Sequence, residues 1–181
     1  MAVAVAVAVA AAAVVAVVAA TDAILVPMSS SIRTCLWFRD GRGREAAAFY
    51  CALIPGSRVE ATYDIAGDGV SWLIDFTLGG VPYQILDAGP MFTLTEAASI
   101  SVETADQAET DRLWAALTAH GGEENHCGWL KDRFGVSWQV FPKRLTELTL
   151  KAAPAVRAKA MAAMMKQKKI DLAAIEAAVR A

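Results

Sequence analysis

A short pattern that occurs twice constrains this chain more than any other feature. Gly80-Val81-Pro82-Tyr83-Gln84-Ile85-Leu86 matches Gly135-Val136-Ser137-Trp138-Gln139-Val140-Phe141. Each copy reads Gly-Val, a small residue, an aromatic, Gln, then two apolar residues. The segments before the copies repeat as well. Ser31 to Phe38 is rich in β-formers and ends at the turn signal Asp40-Gly41. Glu45 to Leu53 then carries Ala46, Phe49, Tyr50 and Leu53 at helical spacing, and Pro55-Gly56 stops that helix. Arg58 to Ile65, Val70 to Leu78 and Val81 to Leu86 read as strands, with Gly67-Asp68-Gly69 and Gly79-Gly80 as turns.

The order β-α-β-β-β then restarts. Ala98 to Glu103 is a strand with Ile100 and Val102 on one face. Thr104 and Asp106 offer helix caps, and Gln107 to Ala119 is helical with Leu113, Trp114 and Leu117 inward. Gly121-Gly122 ends that helix, and shorter strands follow around Gly128 to Lys131 and Val136 to Phe141. One open sheet of this kind cannot cover its own apolar face, so duplication implies paired units. The expected class is α+β, with βαβββ modules at about residues 31–90 and 97–142 inside a domain of residues 28–144.

Residues 145–181 form a helical tail. Val156, Ala160, Met161, Met164 and Met165 make an apolar stripe there, expected to cover the sheet or a second subunit. Asp171 caps a last short helix that runs through Val179. At the other end, residues 2–20 contain only Ala and Val. A signal peptide needs a basic n-region, and the first charged side chain here is Asp22. The length suits a membrane span, but basic anchors are missing on its N-terminal side. The preferred reading makes Met28 the true start and leaves residues 1–27 outside the fold; a signal or membrane anchor is the alternative.

A net charge of -2 and a pI near 5.7 leave no footprint for nucleic acid. Cys35, Cys51 and Cys127 are an odd count without C-x-x-C spacing, which fits a reducing cytoplasm rather than a disulfide framework.

Three motifs in order resemble a known family. Thr34-Cys35-Leu36-Trp37-Phe38, then Glu45-Ala46-Ala47 with Phe49-Tyr50, resembles the first strand and helix of PhnB-like proteins. These form a branch of the vicinal-oxygen-chelate (glyoxalase/bleomycin-resistance) superfamily. Cys127-Gly128-Trp129-Leu130-Lys131-Asp132, followed by Phe134-Gly135-Val136-Ser137-Trp138-Gln139-Val140, resembles their most specific motif. Ala160-Met161-Met164-Met165-Lys168-Lys169-Ile170-Asp171 is similar to their C-terminal helix. The resemblance implies sheets curled around a cavity, a small-molecule ligand and a homodimer. It also brings the label demethylubiquinone methyltransferase. That chemistry commonly uses a Gly-rich strand-to-helix turn in a parallel sheet, whereas Gly67-Asp68-Gly69 reads as a hairpin turn.

In metal-using members the resemblance places ligands on the first and last strands of both modules. Here those strands offer Arg33, Thr34 and Cys35, then Ala98 and Ser99, with Gln84 and Gln139 on the last strands. Two neutral amides without His or carboxylate make a poor divalent site. Gln84 and Gln139 are read first as internal hydrogen-bonding groups and second as contacts to a polar substrate group. Arg33 suits either a surface ion pair or an anionic ligand. Asp75 and Glu103 are candidate paired carboxylates, although alternate strand positions usually face solvent. His120, Glu123, Glu124, His126 and Cys127 cluster in sequence, but their spacing matches no zinc pattern, so they read as a solvated helix end followed by an edge strand. Trp37, Trp72 and Trp138 either fill the sheet–helix interface or line an apolar pocket.

The residues therefore point to metal-independent binding of a small apolar or aromatic molecule in a cavity between the modules. Arg33, Cys35, Trp37, Gln84, Ser99 and Gln139 are the ligand-binding candidates, with no metal and no cofactor. The alternatives are a metal-dependent glyoxalase- or dioxygenase-type enzyme and, behind it, an S-adenosylmethionine-dependent methyltransferase.

Overall fold

The computed structural model describes residues 32–181, so the Ala/Val tract and the Met28 start lie outside the described residues. Arg33–Ala181 forms one compact unit. The first module runs β1 (Thr34–Phe38), α1 (Gly43–Leu53), β2 (Arg58–Asp64), β3 (Trp72–Leu78) and β4 (Val81–Asp87). The second runs β5 (Ile100–Thr104), α2 (Gln107–Thr118), β6 (Glu123–Glu124), β7 (Trp129–Lys131) and β8 (Ser137–Pro142). Each module folds into a four-stranded sheet, in the orders β1-β4-β3-β2 and β5-β8-β7-β6. The first and last strands of each module pair in parallel, and the other pairs are antiparallel. The duplicated heptads fall on the two last strands, β4 and β8, in the same register: Tyr83 opposes Thr34 and Trp138 opposes Ile100.

The strand expected over Ser31 to Phe38 is paired from Thr34, and the edge strand expected after the helix end at His120 is the two-residue β6. So short a strand is held by pairing with β7, not by its own pattern. Helix α2 starts where its caps allow. The Asp106 carboxylate accepts the Glu109 N–H at 2.9 Å, and Glu109 reaches back to the Ala105 N–H at 2.8 Å.

Strand alternation decides which side chains are buried. On β4, Ile85 is fully buried and Asp87 accepts the Gly43 N–H at 2.6 Å, so these residues face α1. Gln84 and Leu86 therefore face the other way. On β8, Trp138 and Val140 are fully buried, and Gln139 between them points to the opposite side. The main core draws on the helix-facing residues of both sheets, Leu36, Phe76 and Ile85 from one and Ile100, Trp138 and Val140 from the other, with Tyr50 of α1 and Leu113 of α2 between them. The two modules thus share one core on their helical sides, and the Gln-bearing faces lie away from it.

The tail builds a second, smaller core. A short helix α3 (Lys143–Thr146) runs into one π-helical turn (Glu147–Lys151), then α4 (Pro154–Met164) and α5 (Leu172–Arg180). Leu145, Leu148, Ala160, Ile170 and Ile175 are buried together there. The expected apolar stripe is split. Val156, Ala160 and Met164 pack on this tail core, which also takes in Phe141 of β8, while Met161 and Met165 stay 40% and 62% exposed. The tail is tied to the second module by backbone bonds from Cys127 N–H to Gln167 and from Gly128 N–H to Lys168, both at 2.8 Å. Gly128 has φ +82°, and a side chain there would meet the Val140 carbonyl at 2.9 Å.

Close approach also explains Gly43. A Cβ at that position would lie 2.7 Å from Ile85 Cγ2 and 2.9 Å from Asp87 Oδ2. The Gly43→Ala variant is expected to lose about 1–3 kcal/mol through overpacking, read as a lower urea midpoint with an unchanged slope.

Candidate functional site

The outward face of the first sheet carries a polar line. Arg33 Nη1 lies 2.7 Å from Asp75 Oδ1, and Gln84 Nε2 donates to the same oxygen at 2.7 Å. The register produces this meeting, because Gln84 opposes Asp75 on one side and Cys35 on the other. Burial works to raise the Asp75 carboxyl, but hydrogen bonds from Arg33 and Gln84 with the Arg33 charge hold it below its ordinary value. Cys35 sits beside Gln84, and desolvation pushes its thiol up, which argues against a thiolate nucleophile there. Glu60 on β2 bonds Thr77 and pairs with Arg58 at 2.9 Å.

The second module repeats the arrangement without charge. Gln139 Nε2 donates to Ser99 Oγ at 2.8 Å. Ser99 precedes β5 as Arg33 precedes β1, so the two occupy equivalent places in the repeat. The six sequence candidates thus fall into separate groups. Arg33, Cys35 and Gln84 come together on one sheet, Ser99 and Gln139 on the other, and each Gln bonds inside its own module. Asp75 and Glu103 do not pair: Asp75 holds Arg33 and Gln84, and Glu103 accepts from Thr146 Oγ1 at 2.8 Å.

Trp37 lies two residues beyond Cys35 on β1 and opens a different surface. Its indole N–H donates to the Gly89 carbonyl at 2.9 Å, and its ring meets Phe92 edge-on at 4.8 Å. A hollow of about 200 Å³ adjoins them, lined by Trp37, Arg39, Phe92, Lys131 and Phe134 among others. Its walls come from the first module, the linker and the second module, so it lies in the seam between modules. Arg39 donates to Thr93 Oγ1 at 3.0 Å, and Lys131 pairs with Glu96 at 2.5 Å. Trp72 is taken up elsewhere, donating to the Gly69 carbonyl with Arg44 over its ring at 4.1 Å. Trp138 is core.

Sequence reasoning quoted Asp132 within a motif and missed what it does. The side chain is only 3% exposed. Its Oδ2 accepts the Tyr50 hydroxyl at 2.7 Å and the Trp138 indole N–H at 2.8 Å. Its Oδ1 accepts the Phe134 and Val136 N–H groups at 2.8 and 3.0 Å. Burial lifts the Asp132 carboxyl above its ordinary value, and these donors pull it back. Burial and the neighbouring carboxylate raise the Tyr50 hydroxyl well above its usual range, so it stays a donor. The only advance signal was the spacing Asp132-x-Phe134-Gly135-Val136, a turn in which an Asp can collect N–H groups.

Metal and cofactor chemistry can be tested against these residues. At the place where a divalent ion would need anionic or imidazole donors, the first module sets a guanidinium and the second a serine hydroxyl, each next to a Gln amide. That set does not fit a divalent ion. Among the described residues, no group of three or more His, Cys, Asp and Glu is placed to hold a metal, the His120–Cys127 segment included. Nor does the Gly-rich segment fit a nucleotide-type cofactor. It is the β2–β3 hairpin turn, and its Gly67, Asp68 and Gly69 N–H groups all turn onto the Asp64 carboxylate at 2.7, 3.2 and 2.9 Å. No helix among the described residues is long and apolar enough to cross a membrane.

Two βαβββ modules, each closed by a parallel first-to-last strand pair, define a vicinal-oxygen-chelate protein of the PhnB type. A model of the 3-demethylubiquinone-9 3-methyltransferase family matches residues 30–141, and the chain belongs to that family. Among solved structures, it is similar to the putative 3-demethylubiquinone-9 3-methyltransferase, PhnB protein, of Bacillus cereus. That match has 29% identity and a TM-score of 0.55, covering 62% of this chain and 99% of that one. Protein PA1353 of Pseudomonas aeruginosa matches at 27% identity and a TM-score of 0.53, covering 63% and 98%. The fosfomycin resistance protein FosX of Listeria monocytogenes shares the fold at 17% identity and a TM-score of 0.51, covering 70% and 99%. No curated protein matches the chain.

Two measurements check this geometry. The Asp132→Ala variant strands four buried donors and is expected to lose about 3–5 kcal/mol, against about 2 kcal/mol for Tyr50→Phe, in urea unfolding. For Asp75, a depressed folded-state pKa means stability that is present above the unfolded value and lost as pH falls through the folded one. Its carboxyl is expected to titrate below the ordinary value of about 3.9 and to move back toward it in Arg33→Ala, followed by carboxyl NMR shifts.

Proposed function

We propose that the protein binds a small apolar or aromatic molecule without a metal, in the seam between its two modules. The Trp37–Phe92 hollow carries this reading. A cavity of about 150 Å³ lined by apolar side chains accepts benzene, and this hollow of about 200 Å³ has Trp37, Phe92 and Phe134 in its wall. Edge-on and stacked aromatic contacts favour a planar guest. Arg39 and Asp40 also line the hollow, and Lys131 there is paired with Glu96, so Arg39 is the cation that suits a guest with one carbonyl or acidic oxygen.

Arg33, Cys35 and Gln84 extend the binding surface from Trp37 along the outward face of the first sheet. Ser99 and Gln139 stand on the other sheet of the same chain and bond only within it. A homodimer accounts for both faces, with the second copy laying its Ser99–Gln139 face against the Arg33–Gln84 face of the first. Three free thiols suit a reducing compartment, which supports a cytoplasmic location.

Tryptophan emission, titrated with indole, phenol and benzoate, is expected to be quenched saturably by at least one of them. Trp37→Ala is expected to weaken that binding by about tenfold or more. Emission unchanged across the panel would reject the reading. Metal analysis of the purified protein separates it from the enzyme alternative. Stoichiometric zinc, nickel, iron or manganese would favour a metal-dependent glyoxalase- or dioxygenase-type activity.

A further inference from the structure

We infer that a second ligand site lies in the same seam, built around the hydroxyl of Ser137, and that it takes a neutral molecule with one terminal hydroxyl or carbonyl oxygen on an apolar body. Ser137 is 3% exposed, and its Oγ is a buried side-chain polar atom with no hydrogen-bond partner among the described residues. A buried hydroxyl left unpaired costs about 1–3 kcal/mol, so such a group marks a place where something else supplies the bond. Ser137 lines a hollow of about 90 Å³ with Leu36, Tyr83, Leu94, Ile100 and Val136 in its walls, together with Thr34 and with Ser99, whose hydroxyl already accepts from Gln139.

The lining sets the class of ligand. No charged side chain borders this hollow. An ion entering it would lose its hydration without a counter-charge, which excludes carboxylates and ammonium groups. A hydroxyl or carbonyl pays much less, because Ser137 Oγ both donates and accepts. The hollow holds the polar end and a few carbons. Tyr83 and Ile100 also border an adjoining groove of about 230 Å³ whose Ile54, Leu78, Val81 and Val102 wall takes the apolar remainder, with Ser101 and Glu103, which bonds Thr146, also lining it. This site shares only Leu94 with the Trp37 hollow, so it stands whether or not an aromatic guest binds there.

The test uses 1-hexanol and hexanoate, titrated into the full-length ¹⁵N-labelled protein and followed by amide shifts. Hexanol is expected to shift the Tyr83, Ile100 and Ser137 amides saturably, and hexanoate to bind more weakly. Ser137→Ala is expected to fold with an equal or higher Tm, since it removes an unpaired hydroxyl, and to lower hexanol affinity about three- to tenfold. Trp37→Ala is expected to leave hexanol binding unchanged, which separates this site from the aromatic one. Equal hexanol affinity in wild type and Ser137→Ala would overturn the inference. So would equal binding of hexanoate, shifts confined to other residues, or a crystal grown with hexanol that holds only water at Ser137.

Discussion

One buried carboxylate joins the two halves of this protein. Asp132 belongs to the second module, and the Tyr50 hydroxyl that it binds belongs to the helix of the first. Its other donors hold the turn between β7 and β8 and fix the Trp138 ring. Trp138 then packs against Tyr50 at 5.2 Å, and Phe134 fills the space beside Phe49 at 5.9 Å. Arg133 lies over the Phe49 ring at 4.2 Å and pairs with Glu45, while Arg42 lies over Phe134 and donates to the Arg133 carbonyl. A charge can be buried at this depth because every oxygen of it is bonded. Together with these ring and guanidinium contacts, that joint sets the place of α1 on the second module.

The joint has a consequence for binding. It commits the helical sides of both modules to one core, so the Gln-bearing sheet faces lie opposite that core. Strand alternation then sorts the duplicated heptad. Tyr83 and Ile85, Trp138 and Val140 go inward, and both glutamines go outward. The repeat is structurally exact in register and chemically unequal in content. The first module carries an Arg–Asp–Gln line, and the second carries a Ser–Gln pair. Membership of a family named for methyl transfer does not alter this chemistry, since one scaffold hosts many reactions. The glycines that resemble a cofactor loop spend their N–H groups on Asp64.

Much of the fold was legible before any coordinates. Period-2 strands, a helix with apolar residues at helical spacing and Gly turns marked both modules, and the duplicated heptad located their last strands. What misled was local pattern without a partner. The apolar stripe of the tail reads as one covering surface, yet only Val156, Ala160 and Met164 join the core that includes Leu145, Leu148, Ile170 and Phe141 of β8, and Met161 and Met165 stay exposed. Asp75 and Glu103 look alike as strand carboxylates, but pairing gave one an arginine and the other a threonine.

By itself, the sequence determined the duplicated βαβββ order and the equivalent places of Gln84 and Gln139 on the last strand of each module. These follow from periodicity, turn chemistry and composition, which act over a few residues. Tertiary structure alone decided that Asp132 would meet Tyr50 across 82 positions, that the two glutamines would serve separate faces, and that Ser137 would be buried beside a hollow. Those outcomes depend on how two sheets dock, and docking is set by the summed burial of many side chains that no local pattern encodes.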